Sequence, residues 1–149
     1  MMFISMIGCT TSIKEYENTN PKMNFQSFFS GKLVAHGIIK NRSGKMTMSF
    51  VVNMDCEWKG NQGLIKEKFL YSNGTESTRD WRITILPNGE INGVADDVVG
   101  VAKGRISGSA FYWNYHLLVP FQNSQISVHL DDWMFLIDEK VIINHTQIS

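Results

Sequence analysis

Two pairs of adjacent aspartates, Asp96-Asp97 and Asp131-Asp132, are the residues whose type and spacing come closest to chemistry. Paired carboxylates can act as acid and base, as in glycoside hydrolysis, when a fold holds them at the right separation. Asp97 and Asp131 are the pair to test for that role. The second pair lies in "HLDDWMFLID", which otherwise alternates like a β-strand. Neighbours on a strand point to opposite faces, so one of these aspartates must turn toward any core. A buried carboxylate is costly unless it is paired and hydrogen-bonded. The chain offers Arg79 or Arg82 as the cation, against Glu67, Asp96 or Asp97, and Asp131 or Asp132. Arginine suits this because its planar fork holds a carboxylate with two hydrogen bonds. Such a pair could hold a ligand head group, or it could serve only to fix strand register.

Other chemistry has little support. The chain has no Gly-x-Ser-x-Gly elbow and no phosphate or dinucleotide loop. His36, His116, His129 and His145 are scattered, without the spacing of metal ligands. An enzyme is not expected, nor a metal, nor a cofactor. The formal net charge is zero and there is no basic run, which argues against a nucleic-acid partner. Hydrophobic residues make up 43% and charged residues 19% of 149, the balance of one globular domain with a real core.

The two cysteines read differently. Cys56, in "NMDCEWKG", is expected to be a small buried hydrophobe without a disulfide partner. Cys9 ends the apolar start "MMFISMIGC" and precedes the polar run "TTSIKEYENTNPK". Met6-Ile7-Gly8-Cys9 resembles the cleavage box of a bacterial lipoprotein signal, in which the cysteine is lipidated. The division expected is residues 1–8 as a residual signal segment, 9–24 as lipidated cysteine and tether, and 25–149 as the folded domain. The preceding apolar run is short and lacks a cation, so the signal is expected to begin further upstream.

From Phe25 onward, runs of strand character alternate with turn signals at about 8–12 residue spacing, as in an all-β sandwich or barrel. Nine runs are readable: "KLVAHGIIK", "MTMSFVVNM", "LIKEKFLY", "TRDWRITIL", "EINGVADDVV", "VAKGRISGSA", "FYWNYHLLV", "QISVHLDDWMFLI" and "KVIINHT". Asn73-Gly74 and Asn88-Gly89 are strong hairpin signals. Only "FQSFF" could make a helical turn. The expected fold is all-β: an antiparallel up-and-down meander of about 8–9 strands closing into a lipocalin- or calycin-like barrel, since closure removes exposed edges.

The inward faces carry aromatics together with charges. Glu67 shares a face with Ile65 and Phe69, and Arg79 shares one with Trp81 and Ile83. A three-residue turn at Asn73-Gly74 would join these faces, with Ser72 opposite Glu76, Glu67 opposite Trp81 and Arg79 on the diagonal. At Asn88-Gly89 a two-residue loop would bring in Asp96, and a bulge Ala95 and Asp97. Trp113 shares a face with Phe111 and Tyr115. On "HLDDWMFLI", Asp131, Trp133 and Phe135 share one face and Leu130, Asp132 and Met134 the other; either aspartate could turn inward, and the site is sought on the face of Asp131 and Trp133. The neighbourhood of Arg79, Asp97 and Asp131 is the expected polar anchor.

The stretches "GKLVAHGII", "RDWRI", "GVADDVVGVAKGRISGSAFYWNY" and "LDDWMFLIDEKVIINH" resemble the DUF3833 family, bacterial lipoproteins of unassigned function. Its motifs fall on Arg79 and Trp81; on Ala95, Asp97, Val98 and Gly100; on Trp113 and Tyr115; and on Asp131, Asp132 and Trp133. The resemblance implies a lipocalin-like barrel, a lipid anchor on Cys9 and a place in the bacterial cell envelope, at the outer membrane facing the periplasm. It also implies roughly one more strand beyond "INHTQIS". The functional expectation is a carrier of a small amphipathic or lipid-like ligand. Its site would be lined by Glu67, Arg79, Trp81, Asp97, Trp113, Tyr115, Asp131 and Trp133. The alternative is a filled barrel acting as a structural or interaction lipoprotein.

Overall fold

Three Gly-closed turns set the register of the meander. In Asn41–Lys45, Tyr71–Thr75 and Leu86–Glu90 the glycine takes positive φ (85° to 86°) and donates its N–H back to the first residue's carbonyl. A side chain with a Cβ is disfavoured there. Asn73 and Asn88 stiffen the second and third turns by accepting, through Oδ1, the N–H two residues on, each at 3.0 Å.

The computed structural model describes residues 11–149. It contains nine strands: β1 Gly31–Lys40, β2 Met46–Lys59, β3 Gln62–Tyr71, β4 Glu76–Ile85, β5 Ile91–Val94, β6 Val98–Ser107, β7 Ala110–Phe121, β8 Ser124–Asp138 and β9 Val141–Ile148. They pair strictly in sequence order, all antiparallel. The fold is the all-β up-and-down meander expected from the sequence, curled into a half-barrel. Among the described residues β1 and β9 do not pair with each other, so both remain edges.

The register differs from expectation in one hairpin. The turn at Asn73-Gly74 does have three residues, but it pairs Tyr71 with Thr75 and so sets Glu67 directly opposite Arg79. Both arrangements have the same parity, so the faces join as expected while Arg79 moves from the diagonal to the facing position. At Asn88-Gly89 the longer turn again wins, with Ile85 opposite Ile91. The strand boundary that follows is also different. The run "EINGVADDVV" breaks after Val94, where Val98 N–H closes a turn on the Ala95 carbonyl, and β6 begins at Val98.

Inside the curl, the end bearing the β2–β3 and β6–β7 turns is packed solid. Trp81 and Trp113 lie 4.6 Å apart between ring centroids, and Tyr115 stands edge-on to both at 5.2 and 5.6 Å. Phe111 joins Trp113 at 5.3 Å. Glycines make this possible. A Cβ on Gly93 would lie 2.7 Å from the Trp113 ring and 3.1 Å from Trp81, closer than packed atoms tolerate.

A short helix, α1 (Phe25–Phe28), capped by Asn24, plugs that end. Phe25 packs on Phe111 at 5.2 Å, and the Trp58 indole donates to the Phe29 carbonyl at 2.6 Å. The segment before it was expected to be a tether. Its described part is instead docked on the sheet. Tyr16 covers Trp133 and Phe135 on the outer face, at 5.6 and 5.4 Å. The Thr19 hydroxyl accepts from the Ser109 N–H and faces its hydroxyl, and Met23 N–H donates to the Gly108 carbonyl. The chain thus wraps from the outer face round the β6–β7 turn to the interior. Residues 1–8 and Cys9 lie outside the described residues.

Candidate functional site

The opposite half of the inner face is built differently. Above the tryptophans, β2, β3 and β4 present Phe50, Phe69, Tyr71, Ser77 and Arg79, while β7 and β8 present Leu117, Val119 and Val128. Phe50, Phe69 and Tyr71 form their own aromatic set, 6.0 to 6.2 Å between centroids. Every one of these apolar side chains is only half-buried. No helix or loop among the described residues covers this end as α1 covers the other.

At the boundary between the packed and open halves sits a charged triad. Arg79 Nε donates to both Asp97 oxygens at 2.9 and 3.1 Å, and Nη2 donates to Oδ2 at 2.9 Å. The guanidinium stacks over Phe69, 5.3 Å from the ring centroid. Nη1 lies 3.9 Å from Glu67 Oε1, too far for a hydrogen bond. That Glu67 oxygen is buried and has no hydrogen-bond partner among the described residues. Burial pushes the Glu67 carboxyl up to about 7, against the opposing pulls of Arg79 and of the Trp81 side chain. The short β5 explains why Asp97 can reach Arg79. With β5 ended at Val94, the part of β4 before Arg82 is paired only with β3, and the Ala95–Asp97 turn fills the gap on its other side. A depression of about 170 Å³ opens there, between Arg79, Asp97, Thr78, Asp80 and Asp96.

In both aspartate pairs the second residue turns inward and the first outward. Asp97 turns inward, as does one alternative of the sequence reading, and Asp96 is exposed, 3.9 Å from Arg82 on the outer face. On β8 the inward residue is Asp132, not Asp131. Asp132 is 5% exposed and meets no arginine. It accepts the Trp113 indole N–H at 2.9 Å, the Thr146 hydroxyl at 2.7 Å and the Asn144 amide. These bonds tie β7, β8 and β9 together. Burial raises its pKa while the three hydrogen bonds oppose the rise.

Asp131 and Trp133 must therefore be moved from the interior to the outer face. Asp131 accepts the Tyr112 hydroxyl at 2.6 Å and lies 3.7 Å from His129 Nδ1. Trp133 packs at a tilt on Tyr112 and lies under Tyr16. With Asp97 inside and Asp131 outside, the two cannot act together as a hydrolytic pair. His116 and His129 meet on the outer face, 5.0 Å between rings, yet among the described residues no trio of His, Cys, Asp or Glu is placed to hold a metal.

Trp81, Trp113 and Tyr115 are inward, as read, but are packed against each other and almost fully buried. They form the floor beneath the open half rather than the walls of a cavity. Phe69 and Tyr71, which the sequence places on the face of Glu67, and Phe50, which it leaves unassigned, are not among the expected site residues. The signal is on β3, where Glu67, Phe69 and Tyr71 alternate, and Phe50 joins them by pairing opposite Tyr71. A shallow groove of about 460 Å³ runs along the open ends of β1–β3, around His36, Ile38, Val51 and Leu70, and shares Phe50 and Tyr71 with the open half. It contains no charged triad, so the inner site is the better candidate on chemical grounds.

The family described as protein of unknown function, DUF3833, matches residues 3–149. No curated protein and no solved structure matches the chain.

Proposed function

This chain therefore belongs to the DUF3833 family, and we propose that it binds one small amphipathic molecule in the open half of its half-barrel. The observation that carries this reading is the division of the inner face. One half is packed with tryptophans and plugged by α1. The other keeps half-buried apolar side chains around a partly buried ion pair. An apolar concavity with a few convergent polar groups is the usual form of a small-molecule site. The apolar part of the ligand lies along Phe50, Phe69, Tyr71 and Leu117, and its polar end lies near Glu67 and Arg79. We further propose that Cys9 is lipidated and holds the protein at a bacterial envelope membrane, at the outer membrane facing the periplasm. The Met6-Ile7-Gly8-Cys9 box and the polar run after it support this.

Native mass spectrometry of residues 11–149 purified from bacterial cells tests the binding proposal. The expected result is a stoichiometric amphipathic adduct that Phe69→Ala removes while the protein stays folded. A clean apo mass that persists after exposure to a mixed lipid pool would refute it. That result would favour the second reading, a filled structural or interaction lipoprotein, which the packing of Trp81 on Trp113 supports. For the anchor, radiolabelled palmitate should label the full-length chain in bacterial cells, and Cys9→Ser should abolish the label. Label retained in that variant would refute lipidation at Cys9.

A further inference from the structure

We infer that the head group taken by this site is an uncharged donor–acceptor, a hydroxyl or a primary amide, rather than an anion. The inference rests on the binding reading above and adds the chemical class of the ligand. An arginine at the base of an apolar cup suggests a carboxylate or phosphate partner at first sight. The geometry removes that option, because Asp97 already holds the fork of Arg79 through Nε and Nη2. An incoming anion would have to displace Asp97 or sit beside it, and beside Glu67 and Asp132 as well. In a partly desolvated site each such like-charge approach is unfavourable.

What the triad leaves unsatisfied is one acceptor and one donor. Glu67 Oε1 is buried with no partner. Arg79 Nη1, 3.9 Å away, makes no hydrogen bond among the described residues. A buried polar atom without a partner is rare and costs stability until something fills it. A hydroxyl or primary amide does both jobs at once, donating to Glu67 Oε1 and accepting from Arg79 Nη1. A quaternary ammonium can do neither, and a sulfate can only accept.

The test is calorimetric titration of the full chain with 1-decanol below its solubility limit and with decyl sulfate below its micellar concentration. The two probes share an apolar chain and differ at the head. The inference predicts at least tenfold tighter binding of 1-decanol. Equal or tighter binding of decyl sulfate overturns the inference and leaves the binding reading intact. If neither probe binds, the binding reading fails and the inference with it. Glu67→Gln keeps an acceptor oxygen and should retain the preference for the alcohol. Glu67→Leu should lose the preference while still binding the chain, with the fold checked by circular dichroism. A preference that survives Glu67→Leu would overturn the assignment to this residue.

Discussion

Replacing Glu67 with glutamine should stabilise the ligand-free protein at pH 8 and do so much less at pH 4. The cause is the buried carboxyl, whose pKa is raised from 4.5 to about 7, burial being the largest influence. Below pH 4.5 the residue is protonated in both the folded and unfolded chains, and it costs nothing through ionisation. As pH rises from 4.5 to 7, the unfolded chain releases its proton first. The folded state is penalised progressively, and the loss is complete above pH 7. A difference of this size corresponds to about 3 kcal/mol. Glutamine does not titrate, so the variant escapes that loss. Urea unfolding of both proteins at pH 4 and pH 8 isolates the effect, because fixed differences in packing cancel between the two pH values. The variant's advantage should grow by about 3 kcal/mol across that range. Asp132 is also raised, but it is common to both proteins and largely drops out. An advantage independent of pH, or one that shrinks toward pH 8, would refute the assignment of Glu67 as a buried carboxyl held near neutrality.

Other expected outcomes test the scaffold around the site. Asp132→Ala should cost about 3 kcal/mol or more, because it strands the Trp113, Asn144 and Thr146 donors, while Asp131→Ala should cost about 1 kcal/mol; thermal melts that rank them the other way would contradict the outward placement of Asp131. Gly93→Ala should destabilise by roughly 1–3 kcal/mol, since its methyl group meets the packed Trp113 ring, and denaturant midpoints would read the loss. The Cys56 thiol is buried and pushed up to about 11, by burial first and then by Glu67 and Asp55. In a Cys9→Ser background it should resist a thiol reagent at pH 8 until the chain is unfolded; rapid native labelling would show that the closed end opens.

The nine strands were readable because each combines alternation with a turn signal that has a physical cause. Asn73-Gly74 and Asn88-Gly89 are turns because glycine reaches positive φ cheaply. The inward placement of Glu67, Arg79 and Trp81 followed from those turns, since parity survives a register shift of two. The error on β8 has an equally specific origin. Its outer face is also apolar, with Trp133 and Phe135, because the chain's own N-terminal segment covers it through Tyr16. Alternation alone could not tell that covered face from the core. The decisive signal was the Gln122-Asn123 turn. A two-residue loop there pairs Phe121 with Ser124, which sets Trp113 opposite Asp132. The polar Asn144 and Thr146 on the last strand then have a carboxylate to meet. The packing of Trp81 on Trp113 was not legible, because it depends on how tightly the short β5 and its glycines let the sheet curl.

The central claim is that the ligand sits on the open half of the inner face. Methyl-resolved NMR during titration with 1-decanol tests it most directly. The account predicts that shifts concentrate on Leu117, Val119 and Val128, with the Phe69 and Tyr71 rings following. Shifts centred instead on Ile38, Val51 and Leu70, on the outer face of β1–β3, would contradict it.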